Sequence, residues 1–309
     1  MKNIMKNIST QNWMSALDET ITLDKLSIPG THDSGTEKTS KGAGHTQNFG
    51  IRTQLDDGIR FLDIRVKNKG KNEKDPLQIY HGSLNCEISY GDVLNDCKKF
   101  LELNPSEIII MLMNAASDGD KNIEEGFDKY VSNPSYHDLF CLKTVPPNLS
   151  KLRGKVVLFR RFLSKKSSEN GVDLSKGWKD NATFDLSTPQ GVKFYIEDNY
   201  KEHDTHEKLK DVKSTIVKAT SNPNDGVIYI TYNSISQGSH TPYQYAWGGG
   251  LGKVDPMMNP GLEDFLKIQQ DGKRLGTVML DFYNNETGKI NKRNVELIID
   301  SNEGVQLSR

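Results

Sequence analysis

The sequence predicts an α/β protein built as a distorted, TIM-like (β/α)8 barrel with some of its helices missing. Three observations carry that prediction: eight short apolar or β-branched runs, amphipathic stretches between most of them, and ionisable residues gathered where the runs end. The runs lie at 25–28, 59–66, 77–80, 107–113, 155–159, 192–196, 227–232 and 277–282. The first stops at Pro29-Gly30. A helix follows the third run at 90–103 and is halted by Asn104-Pro105, because the residue before a proline disfavours helical backbone. Further helices are expected at 121–131, 204–219, 262–270 and 291–299, with Gly and Pro at the joins. Strand and helix alternate, which favours parallel pairing through crossovers. Between the second and third runs stands only a charged loop, too short for a normal helix, and there the barrel must deform.

A chain of 309 residues with 26% charged residues and a formal net charge of −1 suits one large domain or two ordinary ones. A single domain over 1–309 is expected, with roughly three quarters of the unfolded surface buried. No stretch approaches the roughly 18 consecutive apolar residues of a membrane span, and the charged start at 1–8 has no apolar segment behind it. Neither a stable membrane anchor nor an export signal is expected from these residues. Three cysteines, Cys86, Cys97 and Cys141, are too few and too odd for a disulfide framework. The balanced charge hides a run at 140–168 with eight Lys/Arg and no acid, either a solvated face or a local field for anions. Nucleic acid is excluded as a partner, since that run lacks interleaved aromatics and the whole is not basic. Oligomeric state is not legible.

In such barrels chemistry sits at the carboxyl ends of the strands. There the sequence places His32 and Asp33 after the first run, Asp63 and Arg65 late in the second, His81 after the third and Asn114 after the fourth. Arg160 and Arg161 follow the fifth, Asp198 and Tyr200 the sixth, and Asp281 falls near the end of the eighth. Two histidines with separate carboxylates supply a general base and a general acid for opposite sides of one reacting centre. An arginine offers a planar fork to phosphate oxygens, so phosphoryl chemistry is favoured over acyl transfer. No Gly-x-Ser-x-Gly elbow, Walker loop or zinc motif is present. Bland alternatives stand beside these readings. His81 before Gly82 suits a backbone-satisfied turn, Asp63 and Arg65 share a strand face as a structural ion pair would, and Arg161 suits a surface strand end. His45, His137, His203, His206 and His240 are assigned to the surface.

The residues also carry a family signature. Leu26-Ser27-Ile28-Pro29-Gly30-Thr31-His32-Asp33-Ser34-Gly35-Thr36, then Arg60-Phe61-Leu62-Asp63-Ile64-Arg65, His81-Gly82, Asn104-Pro105-Ser106-Glu107 and 154–161 resemble, in this order, the bacterial phosphatidylinositol-specific phospholipases C. The resemblance implies an incompletely closed barrel. It also implies intramolecular cleavage of phosphatidylinositol, or of glycosyl-phosphatidylinositol anchors, to diacylglycerol and inositol 1,2-cyclic phosphate. By the same resemblance His32 is the base, oriented by Asp281, and His81 is the acid, supported by Asp63. Arg65 then holds the phosphate with Asp33 beside it, and Arg161, Asp198 and Tyr200 grip inositol.

Calcium-dependent relatives differ where this chain has Asp33 and Arg65, the latter standing where they place a carboxylate. Asn114 is neutral where they carry an acid, and it replaces the lysine usual near that strand end in the bacterial family. No metal cofactor is therefore expected, because an arginine repels the oxygen-bound cation. The implied partner is a phosphatidylinositol-containing membrane surface, visited transiently by a secreted protein. The usual rim tryptophan is missing from 41–47, and Trp247 with Met257-Met258 offers either a substitute apolar contact or ordinary packing. Two other readings remain: a calcium-dependent or other-headgroup phosphodiesterase on the same barrel, and an inactive lipid-headgroup binding module.

Overall fold

The computed structural model describes residues 8–40, 42, 44–70, 73–117, 122–166, 170–250, 252–269, 273–285 and 292–304. Its centre is a curled sheet of parallel strands: β1 (Ile28–Thr31), β2 (Phe61–Asn68), β5 (Ile109–Ala115), β7 (Val156–Arg160), β10 (Lys193–Asp198), β11 (Val227–Asn233) and β12 (Thr277–Leu280). The order runs β7-β5-β2-β1-β12-β11-β10, extended by β6 (Phe140–Cys141) at one end and by the antiparallel β9 (Ala182–Ser187) at the other. A two-residue strand, β8 (Val172–Asp173), pairs with β7 off this path. Among the described residues no ladder joins the two ends, so the barrel is open, as expected.

Several strands are apolar throughout because both faces are covered; all of β12 and residues 109–113 of β5 are buried. Outside stand α2 (Tyr90–Leu103), α3 (Ile123–Val131), α5 (Thr205–Ser221), α7 (Met258–Lys267) and α8 (Arg293–Asp300), with shorter α1 (Ile51–Asp56), α4 (Leu149–Leu152) and α6 (Pro242–Trp247). The expected helix at 90–103 is matched at both ends. Those at 121–131, 262–270 and 291–299 reach Lys121, Gln270 and Asn291, which lie outside the described residues.

One expectation is corrected. The run at 77–80 is not a parallel barrel strand: β3 (Leu77–His81) returns antiparallel beside the overhanging end of β2 and forms a hairpin with β4 (Leu84–Ser89). The short charged loop before it permits only that, since a parallel return needs a crossover of a dozen or more residues. The first strand also begins later than read, because Leu23–Lys25 form a 3-10 turn. Between β7 and β10 no helix forms among the described residues, and β8 and β9 occupy that stretch.

The lower end, where the parallel strands begin, is closed by the chain's own 3-10 segment Thr10–Ala16. Arg60 and Glu107, both fully buried, pair there at 2.9 Å. The Arg60 guanidinium also donates to the carbonyls of Leu55, Ile59, Thr10 and Gln11, while Glu107 accepts from the Met14 N–H at 3.1 Å. Trp13 adds its indole N–H to the Gly58 carbonyl.

Candidate active site

Strand register assembles the site. Thr31 pairs with Leu280 across β1 and β12, so the next residues, His32 and Asp281, face each other, and His32 Nδ1 lies 2.8 Å from Asp281 Oδ1. The imidazole Nε2 stands 3.2 Å from Asp33 Oδ2. On β2, Asp63 and Arg65 share a face two residues apart, and Arg65 Nη2 donates to Asp63 Oδ2 at 3.1 Å. Arg65 Nε reaches Asp33 Oδ1 at 2.8 Å. Val66 pairs antiparallel with Ile79, so two residues further β3 descends to bring His81 back to that level. There His81 Nε2 lies 3.4 Å from Asp33 Oδ2, and its Nδ1 donates to the Gly44 carbonyl at 3.0 Å. Asp33 is thus shared by both histidines and the arginine, and its backbone adopts a left-handed φ of 43° to aim it there.

Burial disfavours a charged His32, but Asp33 and Asp281 outweigh that and push its pKa up to about 9. Burial likewise works to raise Asp33, yet Arg65, His32, His81 and Arg161 hold it below the usual carboxylate range. Asp281 is raised by burial, with His32 offsetting part of the effect.

Beside these groups opens a polar cavity of about 320 Å³ lined by His32, Arg65, His81, Asn114, Arg161, Asp198 and Tyr200 among others. The register Arg65↔Asn114 and the bond from the Arg161 N–H to the Met113 carbonyl place three of them at one height. Arg161 lies over the Trp178 ring at 4.0 Å, Trp178 donates to Asp198 Oδ2 at 2.9 Å, and the Tyr200 hydroxyl donates to Asp180 at 2.6 Å. Burial lowers the Arg161 pKa and raises that of Asp198.

Of the residues picked out in the sequence, all but Arg160 reach this centre or the cavity, and one partnership differs. Asp63 serves Arg65 rather than His81, whose second nitrogen is held by the Gly44 carbonyl. Arg160 turns away and is buried against Asp173 at 2.9 Å, so Arg161 is the member of the basic run that lines the cavity. Trp178 and Asp180 were missed, because they lie on a loop with no strand end to mark them.

His45 is not on the surface. It is buried against Phe282, with its ring nitrogens beside the Thr36 carbonyl and Asn48, because the segment 44–47 folds back to bond the His32 carbonyl through Thr46 and Gln47. Trp247 is half-buried, its indole N–H bonded to the Phe282 carbonyl at 2.7 Å. Next to it a second cavity, about 600 Å³, opens on the same rim between His45, Tyr243, Phe282 and Gly248–Gly250.

His32, Asp33 and Asp63 offer ligand atoms within 4.8 Å of one another, the spacing of a cation site. Both carboxylates of that trio are already engaged by the Arg65 guanidinium, a fixed cation at the place where a metal would bind.

An imidazole oriented by a carboxylate, a second imidazole across a shared aspartate and a guanidinium between them are groups able to carry acid–base chemistry on a phosphodiester. The model of the phosphatidylinositol-specific phospholipase C X domain matches residues 23–162. The 1-phosphatidylinositol phosphodiesterase of Staphylococcus aureus strain Newman is 31% identical over 89% of this chain and 88% of its own length. That of Listeria monocytogenes is 31% identical over 93% and 86%. A crystal structure of a pentafluoro-Phe-substituted Staphylococcus aureus phosphatidylinositol-specific phospholipase C superposes with a TM-score of 0.82 at 30% identity, covering 95% of this chain and 98% of that one. The chain belongs to the phosphatidylinositol-specific phospholipase C family.

Proposed function

We propose that this enzyme, a single catalytic domain, cleaves phosphatidylinositol by attack of the inositol 2-hydroxyl on its own phosphorus. The observation that carries this reading is the Asp33 carboxylate set between His32, His81 and Arg65. Asp281 takes the Nδ1–H of His32 and leaves Nε2 to receive the 2-hydroxyl proton. The hydroxyl oxygen bonds to phosphorus as the bond to the diacylglycerol oxygen breaks. His81, whose Nδ1–H is fixed on Gly44, gives its Nε2 proton to the departing oxygen. Diacylglycerol and inositol 1,2-cyclic phosphate are the products. Arg65 meets the charge gathering on the phosphate oxygens, held in place by Asp33 and Asp63. Arg161, Asp198, Tyr200 and Asn114 grip the inositol ring from the cavity wall.

No metal is required in this scheme, since Arg65 supplies the fixed positive charge. The lipid arrives from a membrane visited transiently by a secreted enzyme. Leu84, 38% exposed opposite His81 on the hairpin, and the second cavity support an apolar approach. Phosphorus NMR of phosphatidylinositol vesicles with the purified protein in excess chelator tests the whole reading. Inositol 1,2-cyclic phosphate is the expected product, abolished by His32→Ala or His81→Ala. Linear phosphate as the first product, turnover that disappears in chelator, or binding without turnover would overturn it.

A further inference from the structure

The strands that carry His32 and Asp281 separate one residue beyond that pair. β1 and β12 share ladder bonds as far as the His32 N–H, which donates to the Leu280 carbonyl at 3.1 Å. In a parallel ladder the next bond would run from the Phe282 N–H to the His32 carbonyl. The Phe282 N–H donates instead to the Thr46 carbonyl at 2.8 Å. On each strand the residue after the pair turns left-handed, Asp33 at φ 43° and Phe282 at φ 44°. For a bulky residue such as Phe282 that backbone is strained, and it persists only where the surroundings enforce it.

Gln47 stands at this point. Its side chain is fully buried, and its amide nitrogen donates to the His32 carbonyl at 2.9 Å and to the Leu280 carbonyl at 2.8 Å. One carboxamide thus bridges the two strands where their own ladder stops, and Thr46 Oγ1 adds a bond to the His32 carbonyl at 3.2 Å. Asn259 holds the Asp281 carbonyl at 2.9 Å. Gln47 uses both amide protons in this way, while its buried Oε1 has no hydrogen-bond partner among the described residues. An unmet buried acceptor is costly, which sets the worth of what the two donors hold. Three residues earlier on the same segment, the Gly44 carbonyl fixes His81 Nδ1.

We propose that Gln47 is a positioning residue for the acid–base pair, its carboxamide replacing the ladder bond between β1 and β12 and so setting the distance from His32 to Asp281. This role rests on the function assigned above and deepens it. The segment 44–47 then braces both histidines, the strand of the base at Gln47 and the ring of the acid at Gly44. Misplacing the His32 imidazole leaves substrate binding intact and slows the step in which the proton moves.

Gln47→Met keeps the length of the side chain and loses both donors. Gln47→Asn, one methylene shorter, keeps the amide but does not span both carbonyls. Each is expected to lower kcat for phosphatidylinositol by about 10- to 100-fold with KM changed less than about twofold, measured well below its own thermal midpoint. In the resting protein the low-field proton resonance of His32 Nδ1–H on Asp281, identified by its loss in His32→Ala, should move or broaden in both variants. That reading needs no substrate, so it tests the brace even if the wild-type protein proves to cleave another lipid. A resonance that stays in place would overturn the proposal, as would an unchanged kcat in folded protein. If Gln47→Met does not fold, Gln47→Asn decides between the same results.

Discussion

Asp33 is the point at which the charges of the site meet. It lies within 3.4 Å of both imidazoles and 2.8 Å from Arg65, so removing its charge alters all three partners. With Asp33 present, His32 is favoured as imidazolium up to about 9, and the base is free only as pH rises through that value. Asp33→Asn should therefore lower kcat/KM while moving its acid limb to lower pH; a limb that stays put would show that Asp281 alone sets the titration. Folding is linked to the same proton. The raised pKa contributes stability that is full below 6.5 and lost as pH rises through about 9. Most of these residues were legible because polar groups at buried strand ends have no packing role. His81 was legible as a residue but not in its partner, since a backbone carbonyl such as Gly44 leaves no trace in sequence.

At the scale of elements, the parallel strands could be read because burial on both faces makes them continuous apolar runs. β4 could not, as half of its residues are exposed, and β6 and β8 are two residues long. β9 alternates only through Phe184 and Leu186 and was passed over. The β3–β4 hairpin matters most, because it delivers His81. Its far end is joined to α2 through Ser89, which caps the helix in a capping box with Asp92 and also donates to Asp75 at 2.6 Å. Ser89→Ala is expected to cost about 1 kcal/mol in chemical denaturation. Because the cap is remote from the hairpin tip, turnover should change little; a large loss of rate would mean that the cap governs His81 placement.

Across the whole molecule the barrel separates two tasks, chemistry at the upper rim and closure at the lower. Arg60→Ala would strand Glu107 as a buried, uncompensated charge. Loss of one partner from such a pair is expected to cost about 3–5 kcal/mol, measured as a shift in denaturation midpoint. At Leu103, 70% exposed, truncation should be nearly silent in the same assay. The lower closure also bears on the order in which the protein is made. Trp13, Met14 and Leu17 leave the ribosome before their partners, for the Met14 N–H finds its acceptor in Glu107, 93 residues later in the chain. Until β2 and β5 have been synthesised and paired, this apolar stretch has no seat. The segment waits for partners made after it, a nascent hydrophobic surface open to chaperones until they emerge.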